Sequence, residues 1–261
     1  MQTRIIYEDT HIMVCYKPAG LATQTAQVGR PDMVSELKRY LTARQGTVRG
    51  EVPMQGAGAD HSVSGKSVTG KQSKAGVPYL GIIHRLDQPV EGLLVFAKTK
   101  EAAAKLTAQL SEGSLNKQYY AAVCGKPAQE AGELVDYLLK EKDMARVSEN
   151  GAADGAAKRA VLQYQVITSV MTEMSDYISL LDIQIDTGRF HQIRVQMSHA
   201  GLPLLGDRKY GSVQSGELSR RLGICSVALY AYGVELVHPM TGKRLEFHIK
   251  PKLPDAFGNI S

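Results

Sequence analysis

Short apolar runs separated by turn residues dominate the chain, and the spacing of their apolar positions is mostly that of strands. Ile183 and Ile185 alternate with polar neighbours in residues 178–186, which predicts a strand with one buried face and one solvated face. Residues 93–97 are apolar without interruption and follow Gly92, which predicts a fully buried strand. Further strands are predicted over residues 4–8, 12–16, 117–123 and 158–169.

Apolar residues recur at helical spacing in three other segments. The first covers residues 32–44, with Asp32 as its N-cap, and the second lies between Thr99 and Gly113. The third ends at Gly201. This mixture of strands and helices predicts a mixed α/β fold of the α+β kind, as a single domain over residues 1–261.

Residues 45–77 interrupt this pattern. They contain seven glycines and many serines, and they show no apolar period. Such a composition buries too little apolar surface to offset its ordering entropy, so it predicts a flexible insertion. Four basic residues, Arg49, Lys66, Lys71 and Lys74, allow an RNA-contacting role, but an inert linker is the preferred interpretation.

Charge and cysteine content narrow the class of protein. The chain of 261 residues has 31 Lys and Arg against 26 Asp and Glu, a net charge of +5 that is compatible with a polyanionic partner without demonstrating one. Three cysteines, Cys15, Cys124 and Cys225, lie far apart, which argues against a zinc site and a disulfide framework. No signal-peptide core or membrane-length apolar run is present in the sequence. We therefore expect a cytoplasmic protein that does not enter a membrane.

The first candidate for chemistry is the polar loop of residues 84–91. It lies between two apolar runs, the second of which is the predicted buried strand, and a loop fixed in this way places its side chains reproducibly. Asp87, flanked by Arg85 and His84, is the candidate catalytic group. The alternative is that Asp87 caps a turn before Pro89 and that Arg85 forms a surface ion pair.

A second candidate stretch covers residues 187–201. Arg194 falls on a different helical face from Ile193, so it can point into a cleft. His191 and His199 are about two turns apart, which is not the i, i+4 spacing of a zinc-binding helix, and we expect no metal site. In the strand of residues 117–123, Tyr119 and Tyr120 face opposite sides, so only one of them can enter a cleft.

These stretches resemble the motifs of the RluA-type RNA pseudouridine synthases. The resemblance is carried by the residues His84-Arg85-Leu86-Asp87, Gly92-Leu93-Leu94, Lys117-x-Tyr119, Gly188-Arg189-x-His191-Gln192-Ile193-Arg194 and Gly206-Asp207 with Tyr210-Gly211. Residues 227–237 and 244–249 are similar to the closing hairpin of that family. Three positions depart from the usual pattern: Val90 and Glu91 replace Thr-Ser, and Tyr16 replaces Asn.

The resemblance implies a fold, a reaction and partners. The fold is a long, mostly antiparallel sheet with flanking helices and a central cleft, without an additional RNA-binding domain of the S4 type. The reaction is the isomerisation of specific uridines to pseudouridine in structured RNA, either ribosomal or transfer RNA. Because the reaction involves no redox step and no group transfer, it requires no cofactor and no metal. We expect RNA as the partner and a monomeric protein.

The resemblance also implies roles for individual residues. Asp87 is the catalytic aspartate, which either attacks C1′ or assists deprotonation at the sugar. Arg194 pairs with Asp87, Tyr119 stacks on the uracil, and Arg85 fills the space left by a flipped-out nucleotide. Further RNA contacts are expected from His84, Arg189, Arg208 and Lys209, and the alternative for the cations Arg189, Arg208 and Lys209 is solvated surface charge.

Two other functions stay open. A non-catalytic RNA-binding protein with the same fold is suggested by the departures at Val90 and Glu91. A nucleoside or glycoside hydrolase would cleave the same bond, but it would need paired carboxylates and an admitted water, and it would release free base.

Overall fold

The computed structural model of the protein describes residues 1–25, 27, 29–47, 77–173 and 176–258. Within these ranges the chain forms eleven strands and four α-helices. The strands are β1 (Arg4–Glu8), β2 (Ile12–Lys17), β3 (Gly81–Ile82), β4 (Glu91–Ala97), β5 (Asn116–Cys124), β6 (Ala131–Glu141), β7 (Met144–Val147), β8 (Lys158–Met171), β9 (Tyr177–Ile185), β10 (Leu229–Val237) and β11 (Arg244–His248). The helices are α1 (Met33–Thr47), α2 (Lys100–Glu112), α3 (Gln192–His199) and α4 (Val213–Arg221).

All eleven strands belong to one sheet. Its order is β1-β2-β4-β10-β5-β9-β8-β6-β7, with β3 paired to β4 and β11 paired to β10. The β4–β10 pair is parallel, and the other pairs are antiparallel. The predicted α+β fold with a long, mostly antiparallel sheet is therefore confirmed.

Strand β4 is buried on both faces, as the uninterrupted apolar run predicted. Leu94 and Phe96 belong to the large apolar cluster that includes α1, whereas Leu93 and Val95 pack with α2 on the other face. This burial fixes the strand that directly follows the polar loop of residues 84–90. The position of that loop is therefore coupled to the core of the protein.

The parallel contact between β4 and β10 depends on a glycine. Gly92 lies opposite Ala231 with φ of 133°, a left-handed region that side chains rarely adopt. A Cβ at this position would overlap the carbonyl group of Ala231 and lie 2.6 Å from its amide nitrogen. Only glycine therefore allows the two strands to approach at the start of β4, next to the polar loop.

Several boundaries differ from the sequence-based expectations. Helix α1 continues to Thr47, so residues 45–47 of the predicted insertion are helical, and its residues 48–76 lie outside the described part of the chain. Strand β4 begins at Glu91 rather than at residue 93, because its first two residues pair with β10. The β6–β7 hairpin and α4 were not predicted. The single-domain organisation over residues 1–261 stays a prediction.

None of the described helices is both long enough and apolar enough to cross a lipid bilayer.

We predict that Gly92→Ala destabilises the protein by about 3 kcal/mol, because an alanine adds both backbone strain and overlap with Ala231. The measurement is the free energy of unfolding in urea. Gly216→Ala is the matched control, since Gly216 lies in α4 with open space around its Cα. The control is expected to be neutral or stabilising by up to about 1 kcal/mol. Equal stability of Gly92→Ala and wild type would contradict the close-approach argument.

Candidate active site

A cleft of about 860 Å³ opens at the centre of the molecule, large enough for a nucleotide. It is lined by the loop before β4, the end of α2, the start of β5 and the segment that leads into α3. The sequence-predicted residues that line it are His84, Arg85, Asp87, Tyr119, Arg189 and Arg194. The two motif stretches, which are more than ninety residues apart in sequence, therefore meet in one site.

The loop that carries Asp87 is held on both sides of this residue. Before it, the hydroxyl of Thr23 donates to the carbonyl oxygen of Leu86 at 3.0 Å. After it, the carbonyl oxygen of Gln88 accepts from the ammonium of Lys17 at 3.0 Å and from the amide of Gly20 at 2.8 Å. These contacts fix the backbone on both sides of Asp87, whose side chain lines the cleft.

Lys17, the last residue of β2, carries the ammonium that holds this loop. Its side chain is completely buried, and Nζ also donates to the carbonyl oxygen of Leu21 at 2.7 Å. Burial lowers the pKa of Lys17 to about 8, while the charges of Asp87 and Glu91 oppose this shift. Lys17 is therefore a structural cation that joins two loops.

Arg194 connects Asp87 to a second carboxylate, that of Asp207. Nη1 of Arg194 lies 3.1 Å from Oδ2 of Asp87. Nε and Nη2 form a bidentate pair with Asp207, at 2.7 and 2.8 Å. The side chain of Arg194 is 4% exposed and that of Asp207 is fully buried, whereas that of Asp87 is 23% exposed. Asp207 therefore orients the guanidinium, which in turn orients the accessible carboxylate.

Asp207 is a site residue for which the sequence analysis assigned no role. Its Oδ1 accepts the backbone amides of Lys209 and Tyr210 at 2.9 and 3.1 Å. Burial alone would raise the pKa of Asp207, but its hydrogen bonds to Arg194 and the charge of that guanidinium lower it. The Gly206-Asp207 motif marked this residue in the sequence, but the sequence alone did not indicate which arginine Asp207 contacts.

The structure argues against the RNA contact predicted for His84. Its Nε2 accepts the backbone amide of Val95 at 3.3 Å, and its Nδ1 is buried without a hydrogen-bond partner among the described residues. Burial, with a contribution from the charge of Lys117, lowers the pKa of His84 to about 3. The neutral ring supports the loop against β4 and does not present a polar atom to the solvent.

Tyr119 and Lys117 project from the same face of β5 into the cleft. Burial and the charge of Asp87 raise the pKa of Tyr119, so its phenol stays neutral. Lys117 is nearly buried, and its ammonium has no hydrogen bond or ion pair with any described residue. Burial lowers the pKa of Lys117. Its role went unrecognised at the sequence level, although it is the first residue of the Lys-x-Tyr motif.

Four cations that were predicted to contact RNA are arranged in two groups. Arg85 and Arg189 are exposed at the cleft, where Arg85 contacts Gln24 and Arg189 donates to a backbone carbonyl oxygen. Arg208 and Lys209 are exposed residues that follow Asp207 and are not among those that line the cleft. Lys209 forms a 2.7 Å ion pair with Asp143. The structure therefore brings only the first group to the candidate site.

Two of the departures from the family pattern interact electrostatically. The phenol of Tyr16 lies close enough to the partly buried carboxylate of Glu91, at the start of β4, for each group to shift the pKa of the other. Burial raises the pKa of Glu91, while the Tyr16 phenol and the charge of Lys17 oppose this shift. The third departure, Val90, is 2% exposed and belongs to the apolar core. The Asp87–Arg194 pair is thus present despite these substitutions.

Within the part of the chain that the structure describes, no group of three or more His, Cys, Asp and Glu side chains is arranged to hold a metal ion.

Residues 11–199 match a family model described as RNA pseudouridylate synthase. The chain belongs to this family. Membership confirms the family and the enzyme class that the sequence motifs predicted: RNA pseudouridine synthases are isomerases that convert uridine in RNA to pseudouridine.

Curated relatives support the same assignment. The ribosomal large subunit pseudouridine synthase D of Zymomonas mobilis is 33% identical over 245 residues, which are 93% of this chain and 67% of that protein. The protein of the same name from Pseudomonas aeruginosa is 34% identical over 264 residues, covering 98% of this chain and 70% of its own. The tRNA pseudouridine synthase C of Yersinia pestis is 27% identical over 250 residues, covering 92% of this chain and 83% of its own.

Solved structures show the same fold. Human RNA Pseudouridylate Synthase Domain Containing 4 superposes with a TM-score of 0.66 at 20% identity, covering 95% of this chain and 88% of the human one. Human RNA Pseudouridylate Synthase Domain Containing 1 gives a TM-score of 0.65 at 18% identity, covering 95% of this chain and 83% of that one. The α+β architecture of this chain is therefore that of the pseudouridine synthases.

We predict energetic coupling between Tyr16 and Glu91. In a double-mutant cycle of Tyr16→Phe and Glu91→Gln, the unfolding free energies are expected to differ from additivity by about 1 kcal/mol, because the partly buried carboxylate loses the polar group that offsets its burial. Glu133→Gln replaces Glu91→Gln in the control cycle, since Glu133 is an exposed residue of β6, far along the sheet. Additive effects in the Tyr16–Glu91 cycle would show that the contact contributes nothing.

We predict that His84 makes the protein less stable in acid. Below pH 6.5 the unfolded chain protonates this histidine, whereas the folded chain does so only near pH 3, so stability falls as the pH decreases through this window. Between pH 7 and pH 5 this difference amounts to about 2 kcal/mol. His84→Gln retains an acceptor for Val95 and should remove that part of the pH dependence.

Urea unfolding at pH 7 and pH 5 measures this effect. His248→Gln is the control, because His248 is exposed and its ring does not support the loop. An unchanged pH dependence in His84→Gln would mean that the ring is more hydrated than its contacts indicate.

Proposed function

We propose that the chain isomerises specific uridines in structured RNA, with Asp87 as its catalytic carboxylate. The observation that carries this proposal is the position of Asp87, an accessible carboxylate held by the buried Arg194 inside a nucleotide-sized cleft. In the reaction the N1–C1′ bond breaks and C5 joins C1′. The hydrogen on C5 leaves to water, and N1 takes up a proton, so the atoms of the uridine balance without a cofactor.

The cleft supports a role for each group around Asp87. An uncharged Tyr119 offers an aromatic surface for the uracil, and the ammonium of Lys117 offers a donor to an oxygen of the bound nucleotide. Arg85 is exposed at the mouth of the cleft, where it is available to occupy the space of a flipped-out nucleotide. Arg189 is exposed there too and suits a phosphate contact, and Arg208 and Lys209 would extend such contacts along the surface.

A hydrolase is less well supported by the same geometry. Hydrolysis by paired carboxylates needs a second carboxyl group with a free oxygen near the first. Both oxygens of Asp207 are engaged by Arg194, so Asp207 does not fill this role. Asp186 and Glu112 also line the cleft, but neither carboxylate shares a hydrogen bond or ion pair with Asp87 or Arg194. A carboxylate that pairs with one arginine suits a glycosyl rearrangement, in which the freed base stays in the cleft.

The substrate class and the setting of the enzyme are part of the proposal. The relatives are named for the ribosomal large subunit and for tRNA, so both RNA classes are candidate substrates. We propose that the enzyme acts in the cytoplasm as a monomer. The free thiols of Cys15, Cys124 and Cys225 are consistent with a reducing compartment.

We predict that the wild-type enzyme releases tritium from RNA labelled at uracil C5, because the hydrogen on C5 must leave when C5 joins the sugar. The substrate is total RNA from a strain that lacks the protein, and the measurement is tritium in water. Asp87→Asn is expected to reduce release at least 1,000-fold with RNA affinity unchanged within twofold, because the carboxylate charge is lost and its shape is kept. Asp186→Asn, which alters an exposed carboxylate of the same cleft, is the control and should retain activity.

Other outcomes would overturn the proposal. Release of free labelled uracil would indicate a hydrolase. Binding of the RNA, with a steep salt dependence but no tritium release above that of Asp87→Asn, would indicate a binding protein. Turnover by Asp87→Asn within tenfold of wild type would remove Asp87 from the catalytic role.

A further inference from the structure

Two donors approach Asp87, and both approach the same oxygen. Nη1 of Arg194 lies 3.1 Å from Oδ2, and Nε2 of His191 lies 3.6 Å from that atom. Among the described residues, no side chain or amide hydrogen-bonds Oδ1 of Asp87. The carboxylate is therefore held from one side, and its other oxygen is the one available to a substrate.

The ring of His191 is held by Tyr210. Nδ1 of His191 lies 2.7 Å from the hydroxyl of Tyr210, and this hydroxyl accepts the amide of Ala145 at 2.8 Å. Among the described residues, Nδ1 is the one acceptor within reach of the hydroxyl proton, so donation to Nδ1 satisfies both groups. This arrangement favours the tautomer with hydrogen on Nε2, the nitrogen that faces Asp87. Phe190 stacks on the ring at 3.8 Å and restricts its rotation further.

The backbone conformation of His191 indicates that this side chain has a specific role. Its φ is 55°, a left-handed conformation in which few residues other than glycine are found. A non-glycine residue in this conformation costs about 1–3 kcal/mol. His191 immediately precedes α3, and Arg194 lies three positions further on, so one helix start directs both donors to Asp87.

We propose that His191, held by Tyr210, is a positioning residue for Asp87: it donates Nε2–H to Oδ2 when the nucleotide enters and so directs Oδ1 to the sugar. This inference rests on the proposed function of the site. The present separation of 3.6 Å is slightly too long for a hydrogen bond, and such contacts shorten when a substrate fills a catalytic site.

The electrostatic surroundings keep His191 suitable for this role. Burial lowers the pKa of its imidazole, the charges of Arg194 and Lys209 lower it further, and those of Asp87 and Asp207 oppose the shift. Lys209 is itself paired with Asp143, whose carboxylate also interacts with the ring, and Lys140 lies over the ring of Phe190 that stacks on His191. A neutral donor orients the carboxylate without adding a second cation beside it.

The experiment measures single-turnover tritium release from the C5-labelled total RNA and, separately, the affinity for that RNA. His191→Leu is expected to slow release about 100-fold with affinity unchanged within twofold, because the carboxylate of Asp87 loses its alignment with the sugar. His191→Gln restores an N–H donor and should regain at least tenfold of that loss. Tyr210→Phe should slow release about tenfold in the wild-type background and not at all in the His191→Leu background.

These outcomes separate positioning from a merely structural role. Release by His191→Leu within threefold of wild type overturns the inference, as does a His191→Gln rate no better than that of His191→Leu. Equal slowing by Tyr210→Phe in both backgrounds would also overturn it. If His191→Leu fails to fold, as thermal melting will show, Tyr210→Phe compared with a Tyr210→Phe/His191→Gln double variant tests the same coupling. Absence of release by the wild type, by contrast, refutes the proposed function itself.

Discussion

The candidate site depends on one buried guanidinium, that of Arg194, between two carboxylates. Placing this cation in the protein interior costs several kcal/mol unless it is fully paired, and the bidentate contact with the buried Asp207 supplies that pairing. The remaining Nη1 is then fixed in direction and reaches Asp87. The accessible carboxylate is thus positioned by a structural ion pair that lies behind it, out of contact with the solvent.

The sheet topology is what makes this contact possible. Asp87 and Arg194 are 107 positions apart in sequence. Asp87 precedes β4 and Arg194 follows β9, and in the strand order of the sheet these two strands lie on opposite sides of the junction between β4 and β10. Gly92 allows that junction to close at the residue where the Asp87 loop ends and β4 begins. The loop is held from the other side by the ammonium of Lys17. The backbone around Asp87 is therefore fixed by core packing and by buried hydrogen bonds.

The sequence predicted the elements of this arrangement and, through the family resemblance, the pairing of Arg194 with Asp87, but not the contacts that support this pair. The apolar run of residues 93–97 and the motif residues Asp87, Tyr119 and Arg194 were identified because each has a local signal. Asp207 and His191 were not assigned roles, because their partners are distant in sequence and a motif does not state what its residues contact. His84 shows a related limit: a histidine beside a catalytic candidate has the same local pattern whether its ring contacts RNA or, as here, accepts the amide of Val95.

The two oxygens of Asp87 have different surroundings, and this difference bears on the proposed chemistry. A carboxylate that is held equally through both oxygens, as Asp207 is, has no oxygen left for a substrate. In Asp87 the hydrogen bond from Arg194 and the close approach of His191 both involve Oδ2, so in the proposed mechanism Oδ2 is the oriented oxygen and Oδ1 is the one that meets the substrate. This division requires that the donors arrive from one direction. The start of α3 meets that requirement, because it carries both donors within a single turn.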